Sequence, residues 1–159
     1  MVDVAVDARR QAALELARIG APACARALIA ALKDADEPVR VNAILGLGWM
    51  QSKDAVPALI ELAKGTDVRM KRRAVQALGQ IGDPRAIPTL MASLQDADAT
   101  VVQNAIFALG WLKAKEAVPD LIRFATAPAA NDWRKAEWRP AAFRALGRIG
   151  DERALAGLE

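Results

Sequence analysis

Leucine–glycine pairs recur along this chain at a nearly constant interval, and the interval constrains the fold more than any other feature. Gly48, Gly79 and Gly110 are 31 residues apart, and Gly147 follows after 37. Ala17 lies a further 31 residues before Gly48. A fixed period of roughly 20–50 residues indicates stacked structural repeats. The sequence therefore predicts five units, at about residues 1–33, 34–64, 65–95, 96–126 and 127–159, the last of them incomplete.

Each unit has the pattern of two helices joined by a turn. In the second unit, Asp36 is the expected N-cap of the first helix. Val39, Ala43 and Leu47 then follow on one face at helical spacing. The second helix is expected at about 54–64. Since no unit can bury both of its faces alone, neighbouring units must stack. The sequence thus predicts an α-solenoid of about ten helices.

The composition agrees with packed helices and excludes several classes of protein. The chain is 53% hydrophobic but only 4% aromatic, so alanine and leucine carry the apolar content. No run of about 18 apolar residues is present, so we expect no membrane span. The N-terminal residues lack the pattern of a secretory signal, and the single cysteine, Cys24, rules out an internal disulfide framework. A cytoplasmic location is the resulting expectation.

The repeated pattern D-x-x-V-R-x-x-A-x-x-A-L-G-x-I-G-D-x-R-A resembles the HEAT-like repeats first named from phycobilisome lyases. Unit three carries it at Asp67, Ala74, 77–79, 81–83 and 85–86. The resemblance covers essentially the whole chain. It implies an all-α fold, a right-handed α-solenoid of about five two-helix HEAT-like repeats in one domain. Because such repeats serve many partners, the resemblance implies no single function.

One face of each first helix is free of the packing constraint. Residues 41, 42, 45 and 49 lie more than a quarter-turn from the buried positions, at about 100° per residue, and are expected to form a solvent-facing ridge. Proteins that this chain resembles place this ridge on the concave surface of the solenoid. Aromatic and apolar units alternate along it with basic and amide ones, and in the fifth unit it includes Pro140 and Ala141. The candidate binding residues are Asn42, Leu45, Trp49, Arg72, Arg73, Gln76, Gln80, Asn104, Phe107, Trp111, Arg144 and Arg148.

Two tryptophans close nearly identical stretches of the ridge helices, VNAILGLGW and QNAIFALGW. A tryptophan at helical spacing is more often part of the core, and Trp138 fits that interpretation because it aligns with Val39. Trp49 and Trp111 align instead with polar residues such as Arg148, so we expect both to be exposed. Exposed tryptophan beside arginine and asparagine is the composition of an interface hot spot.

The sequence offers little for catalysis. It contains no histidine, which removes the commonest metal ligand and the commonest general base. The expected helix caps, spaced by the repeat, are Asp36, Asp67 and Asp98 for the first helices and Ser52, Asp83 and Asp151 for the second ones. Cys24 is expected to be a small buried side chain. We therefore expect no catalytic residue, no bound metal and no cofactor.

These observations favour a non-enzymatic scaffold that binds a peptide or a helix on its concave face. The protein partner is expected to present acidic groups, for the ridge arginines, between apolar anchors that meet Trp49, Phe107 and Trp111. Nucleic-acid binding is an alternative, although the net charge is only +3. A role as a subunit of a bilin lyase is a second alternative, implied only by the family resemblance.

The C-terminal end and an insertion complete the expectations. Leu155 and Leu158 begin the pattern of a last helix that stops after about one turn. A repeat end without a polar outer face leaves an apolar side uncovered, so either the chain is a fragment of a longer repeat protein or this end packs against another chain. Both explanations predict end-to-end self-association. The insertion at 127–137 contains Trp133, which is expected either to pack over the last units or to help shape one end of the groove.

Overall fold

The computed structural model of the protein describes residues 4–126 and 133–156, with side chains except at 133–137 and 155–156. In chain order the helices are α1 (Val4–Ile19), α2 (Ala25–Ala31), α3 (Glu37–Trp49), α4 (Val56–Lys64), α5 (Val68–Ile81), α6 (Ile87–Ser93), α7 (Ala99–Trp111), α8 (Val118–Thr126), α9 (Trp133–Ile149) and α10 (Arg153–Ala156). Odd-numbered helices begin the repeats and even-numbered helices complete them. Short 3₁₀ turns lead into the second helices at Pro22–Cys24, Lys53–Ala55, Pro84–Ala86 and Lys115–Ala117. The predicted all-α fold of two-helix repeats is confirmed.

The chain folds into two compact units, Met1–Ile81 and Gly82–Glu159. In the first unit, α3 packs against α1, α2 and α5, and α4 packs against α5. In the second unit, α9 packs against α7 and α8, and α6 packs against α7. First helices of consecutive repeats therefore lie side by side within each unit. Most of the insertion and Leu158 lie outside the described residues, as do the side chains of Trp133 and Leu155.

Aspartates cap the first helices, as the repeat spacing predicts. One carboxylate oxygen of Asp36 accepts a hydrogen bond of 3.2 Å from the backbone N–H of Val39. The carboxylate of Asp98 accepts from two N–H groups at the start of α7, at 3.1 and 3.0 Å. Asp67 does the same at the start of α5, at 2.9 and 3.2 Å. These bonds satisfy backbone donors that the first helical turn leaves without an intrahelical partner.

The caps of the second helices agree with the prediction in part. Asp83 and Asp151 accept from the N–H groups of Arg85 and Arg153, at 2.9 and 3.1 Å. Ser52 holds the N-cap position of the turn at Lys53–Ala55, but its side chain makes no capping bond, so its predicted role is wrong. Backbone bonds fix this residue instead, because the N–H of Ser52 donates to the carbonyl of Leu47 at 3.0 Å and its carbonyl accepts from Ala55.

One residue in each inter-helix turn adopts a left-handed backbone conformation. It is Gly20, Gly82 or Gly150 in the odd repeats, with φ of 63°, 68° and 65°. The second and fourth repeats place Gln51 and Lys113 there instead, with φ of 50° and 52°. Glycine adopts this conformation without steric cost, whereas a residue with a Cβ does so with strain. The repeats that carry Trp49 and Trp111 thus also differ from their neighbours in the residue type at the left-handed turn position.

The glycines of the leucine–glycine pairs allow close contact between consecutive first helices. A Cβ added at Gly110 would lie 2.8 Å from the Cα of Ala145 on α9. At Gly48 it would meet the side-chain oxygen of Gln80 and lie 3.3 Å from the Cβ of Ala77 on α5. Since real Cβ atoms do not approach backbone so closely, only glycine fits beside Ala145. The repeat period of the sequence therefore reflects the packing of one helix on the next.

Leucine, alanine and valine fill the core in the predicted pattern. Val39, Ala43 and Leu47 are at most 2% exposed, and Leu78 and Leu109 are wholly buried. Cys24 departs from its prediction, because it is only half-buried. It ends a turn whose other residues, Pro22 and Ala23, are exposed, so the turn lies at the surface. Over the described ranges, no helix is both long and apolar enough to cross a membrane.

Candidate functional site

Helices α3 and α5 carry the predicted ridge of the first unit, which we name the α3/α5 surface. Its residues are Val41, Asn42, Leu45 and Trp49 on α3 and Arg72, Arg73, Gln76 and Gln80 on α5. Trp49 is 58% exposed, whereas the other α3 members are half-buried. On α5, Arg72 is half-buried, and the other three side chains are exposed. The expected exposure of Trp49 is thus confirmed, while its role in binding remains a prediction.

Asn42 has a structural role that the sequence did not reveal. Its Nδ2 donates a hydrogen bond of 3.3 Å to the backbone carbonyl of Arg10, 32 residues earlier. The guanidinium of Arg10 in turn pairs with Asp36 at 2.7 Å. This hydrogen bond from Arg10 is the main reason that the pKa of Asp36 lies below its usual value. Asn42 and Arg10 therefore fix α1 against the start of α3.

Helices α7 and α9 carry the ridge of the second unit, which we name the α7/α9 surface. Its residues are Gln103, Asn104, Phe107 and Trp111 on α7 and Pro140, Arg144 and Arg148 on α9. Trp111 is 65% exposed, and both arginines and Pro140 are exposed. The three remaining α7 members are half-buried. Aromatic and cationic side chains therefore share one exposed surface.

The arginines of the α7/α9 surface stack on its aromatic rings. The guanidinium carbon of Arg148 lies 4.1 Å from the ring centroid of Trp111. That of Arg144 lies 5.6 Å from the ring centroid of Phe107. Both distances are in the range of cation–π attraction. The sequence predicts separate aromatic and cationic contacts with a partner, whereas in the structure each arginine lies over the ring that holds the same position in the preceding repeat.

Ala141 was expected on the ridge, and the structure corrects this. The residue is wholly buried. It aligns with Asn104 and Asn42, and the bond from Asn42 to Arg10 shows that this position faces the first helix of the preceding repeat. A long amide side chain reaches past that neighbour, whereas a methyl group is covered by it.

Most arginines away from the two surfaces are paired with carboxylates. Examples are Arg9–Asp34 at 2.9 Å, Arg69–Glu37 at 3.1 Å, Arg85–Asp83 at 2.8 Å, Arg123–Asp120 at 3.4 Å and Arg153–Asp151 at 2.8 Å. By contrast, no carboxylate of the described residues pairs with Arg73, Arg144 or Arg148. Since 68–81, 99–111 and 138–149 contain no aspartate or glutamate, the helical segments that carry these three arginines offer them no carboxylate of their own. Each surface therefore carries positive charge, at Arg73 on one and at Arg144 and Arg148 on the other, that no described carboxylate pairs with.

Trp138, which aligns with the buried Val39, is half-buried and packs against Phe124. Trp138 packs its ring at 84° to that of Phe124, with the centroids 5.5 Å apart. This edge-to-face contact is typical of aromatic pairs in a core. In the ranges that the structure describes, cysteine and acidic side chains form no group of three that could hold a metal ion.

Comparison with known proteins places this arrangement in a family. The model of HEAT repeats matches residues 3–70 and 61–138. A chain in the structure of the complex of CpcE and CpcF of phycocyanin lyase from Nostoc sp. PCC7120 is 28% identical, with a TM-score of 0.75. The match covers 99% of this chain and 64% of that one, so the present chain spans less than two thirds of its neighbour.

An engineered protein of known crystal structure shares the fold. It is 22% identical with a TM-score of 0.62, over 94% of this chain and 76% of that chain. No curated protein matches the sequence. The match to the family model spans far more than half of the residues, and the glycine contacts and aspartate caps explain the repeated pattern physically. The chain belongs to the HEAT-repeat family.

Proposed function

We propose that this chain is a non-enzymatic scaffold whose α3/α5 and α7/α9 surfaces bind a protein partner. The partner is a helix or an extended peptide that presents carboxylates between apolar side chains. The α3/α5 surface combines the exposed Trp49 with Arg73, and the α7/α9 surface combines the exposed Trp111 with Arg144 and Arg148. Tryptophan and arginine are the residues most enriched in interface hot spots. Carboxylates of the partner would pair with the arginines, and its apolar side chains would cover the tryptophan rings.

The stacked pair of Trp111 and Arg148 is the observation that carries this proposal. Stacking covers one face of the guanidinium but leaves the N–H groups along its edge, which form bidentate hydrogen bonds with a carboxylate. It also restrains a long side chain before the partner arrives. Less side-chain entropy is then lost on binding, which favours affinity.

Quantitative affinity capture from a native lysate tests the proposal. We expect specific partners to be retained by the wild type and lost with Trp49→Ala/Trp111→Ala. Charge reversal by Arg73→Glu/Arg148→Glu should lower the affinity of the same partners at least about tenfold, as expected for a lost charge pair. Matched controls are Arg26→Glu and Ile19→Ala, which change a cation and an exposed apolar side chain outside both surfaces. A partner that binds all four variants as it binds the wild type would refute the proposal.

The similarity to the CpcE–CpcF complex favours a second candidate function. The 28% identity extends over 99% of this chain, and that structure is a complex of CpcE and CpcF of phycocyanin lyase. We infer that this chain could instead form a subunit of a complex that handles a linear tetrapyrrole. Titration with a linear tetrapyrrole, followed by visible absorbance, distinguishes this function from that of a protein-binding scaffold. A saturable spectral change that Trp111→Ala abolishes would favour this second function, and an unchanged spectrum would exclude direct chromophore binding by this chain.

A further inference from the structure

The two stacked arginines of the α7/α9 surface lie one helical turn apart. Arg144 and Arg148 hold positions i and i+4 on α9. The rings on which they stack, Phe107 and Trp111, hold positions i and i+4 on α7. Side chains in this relation have Cβ atoms about 5–6 Å apart. Since each guanidinium lies on a ring of its own, the surface presents two cations that are restrained at this spacing.

The α3/α5 surface lacks this pair of cations. Gln76 and Gln80 hold the two equivalent positions on α5, so amides replace both guanidiniums. The exposed cation of that helix, Arg73, lies at a different position of the repeat. The packing of the repeat therefore does not require arginine at these positions, and the pair is a property of the α7/α9 surface.

The accessibility of the two arginines does not depend on α9 lying near the end of the sequence. The position of Arg148 is that of Trp49 and Trp111, which are 58% and 65% exposed although the first helix of the next repeat packs beside each of their helices. The position of Arg144 is that of Phe107, which is half-buried beside α9. A first helix packed against α9 in the same way would leave this surface open.

We propose that the α7/α9 surface binds a partner helix that carries two glutamates four residues apart. The carboxylates of such a helix have the same one-turn spacing as the guanidiniums, so each arginine donates to its own carboxylate without a change in either backbone. On the free helix the two glutamates repel one another, and the arginines remove this repulsion on binding. The inference rests on the proposed function, because it specifies the partner of one of the two surfaces.

The local character of the positive charge favours a carboxylate pair over a nucleic acid. Proteins that bind a nucleic-acid strand follow its phosphates with an extended groove of positive charge. Outside the two surfaces several arginines already have carboxylate partners, as in Arg123–Asp120 at 3.4 Å and Arg153–Asp151 at 2.8 Å. Two cations on the acid-free stretch 138–149 match two carboxylates better than a chain of phosphates.

Fluorescence anisotropy with labelled synthetic peptides and the full chain tests the pairing. The probe is an alanine- and glutamine-based helix of about 18 residues, longer than the roughly 12–15 that an isolated helix needs, with one glutamate pair at i and i+4. The control peptide has the same composition with the glutamates at i and i+2, which do not share a helix face. We expect the probe to bind at least about tenfold more tightly, as a charge-assisted hydrogen bond provides.

Two double variants locate the preference on the protein. Arg144→Gln/Arg148→Gln should abolish the tenfold difference between the peptides. Arg26→Gln/Lys33→Gln removes the same charge from exposed positions outside both surfaces and should leave the difference unchanged. Far-UV circular dichroism should show the wild-type helix content in both variants, since glutamine is a good helix former.

The inference is wrong if the two peptides bind the wild type equally or if the preference survives loss of both α9 arginines. It is also wrong if a peptide with one phosphoserine in place of the glutamate pair, or a single-stranded oligonucleotide, binds more tightly than the probe. Equal binding of the two peptides, together with lysate capture that depends on Trp49 and Trp111, would overturn this inference and leave the proposed function in place. The opposite pair of results would refute the proposed function and support the glutamate-pair site.

Discussion

The guanidinium carbon of Arg148 lies 4.1 Å from the ring centroid of Trp111, and the two residues hold the same position in consecutive repeats. In the first unit the corresponding pair is Trp49 and Gln80, where an amide replaces the cation. The alternation of aromatic and basic residues along the sequence is therefore, in the second unit, a contact between neighbouring helices. It fixes the arginine against the ring and places both on one surface.

A double-mutant cycle should measure this contact. Trp111→Leu and Arg148→Gln, made singly and together, are expected to show a coupling of about 0.5–1 kcal/mol in the free energy of unfolding, the range of exposed cation–π pairs. Urea denaturation provides the measurement. The same cycle on Trp49 and Gln80 is the control and should give a smaller coupling, since no cation is involved. Equal coupling in both cycles would show that the contact of Arg148 is not cationic in origin.

The exposed tryptophans should contribute little to folding. Trp49→Ala and Trp111→Ala are each expected to change the free energy of unfolding by less than about 1 kcal/mol, as surface substitutions do. Leu78→Ala, at a wholly buried position, should cost about 2–5 kcal/mol because it leaves a cavity. Chemical denaturation of the three variants at one temperature compares them directly. A loss on tryptophan removal as large as that of Leu78→Ala would show that the rings are part of the core.

The sequence predicts the repeats well because each repeat makes the same kinds of contact with its neighbours. Each first helix needs an N-cap, and Asp36, Asp67 and Asp98 supply it at one spacing. Consecutive first helices pack closely only where small residues meet, and the glycines of the leucine–glycine pairs lie at these contacts. Periodicity therefore identifies helices, caps and core without any knowledge of long-range contacts.

Features that depend on neighbouring helices could not be predicted in this way. Asn42 and Ala141 hold equivalent positions, but one bonds to the preceding helix and the other is covered by it. The position of a residue within its repeat does not determine how far its side chain extends. Ser52 matches a capping residue by type, yet backbone bonds already fix its turn. Alignment of Trp111 with Arg148 was visible in the sequence, and only the side-by-side packing of α7 and α9 turns it into a contact.

Asp151 should make the C-terminal end of the second unit sensitive to acid. Its pKa is lowered from 3.8 to about 2, chiefly by the side-chain hydrogen bond from Arg153 and next by the backbone N–H of that residue. A carboxylate with a depressed pKa stabilises the folded state fully above about pH 4. That contribution is lost as the pH falls from about 4 through 2.

An NMR titration of the side-chain carboxyl carbon checks the value for Asp151. The midpoint should lie near 2 in the wild type and move up towards 3.8 in Arg153→Gln, which removes the largest cause. Asp151→Asn should lose less stability than the wild type when the pH is lowered from about 4 to about 2. A wild-type midpoint near the ordinary value of 3.8 would contradict the pairing.

Three of the glycines at the equivalent repeat position, Gly48, Gly110 and Gly147, should respond to alanine with different signs. A methyl group at Gly110 would lie 2.8 Å from the Cα of Ala145, so Gly110→Ala forces α7 and α9 apart. Overpacking of this kind costs about 1–3 kcal/mol. At Gly147 no described atom lies within 4 Å, so alanine brings only its better helix propensity, a gain of about 0.5–1 kcal/mol. Gly48→Ala should fall between the two, because a flexible glutamine side chain is the nearest group.

Urea denaturation of the three variants, at a concentration where the protein is monomeric, tests this order. Helix propensity is the same in each case, so differences among them report the space beside each glycine. The variants should therefore rank in stability as Gly147→Ala, then Gly48→Ala, then Gly110→Ala. If Gly110→Ala were as stable as Gly147→Ala, the close approach of α7 and α9 would be wrong, and with it the packing that brings Arg148 onto Trp111.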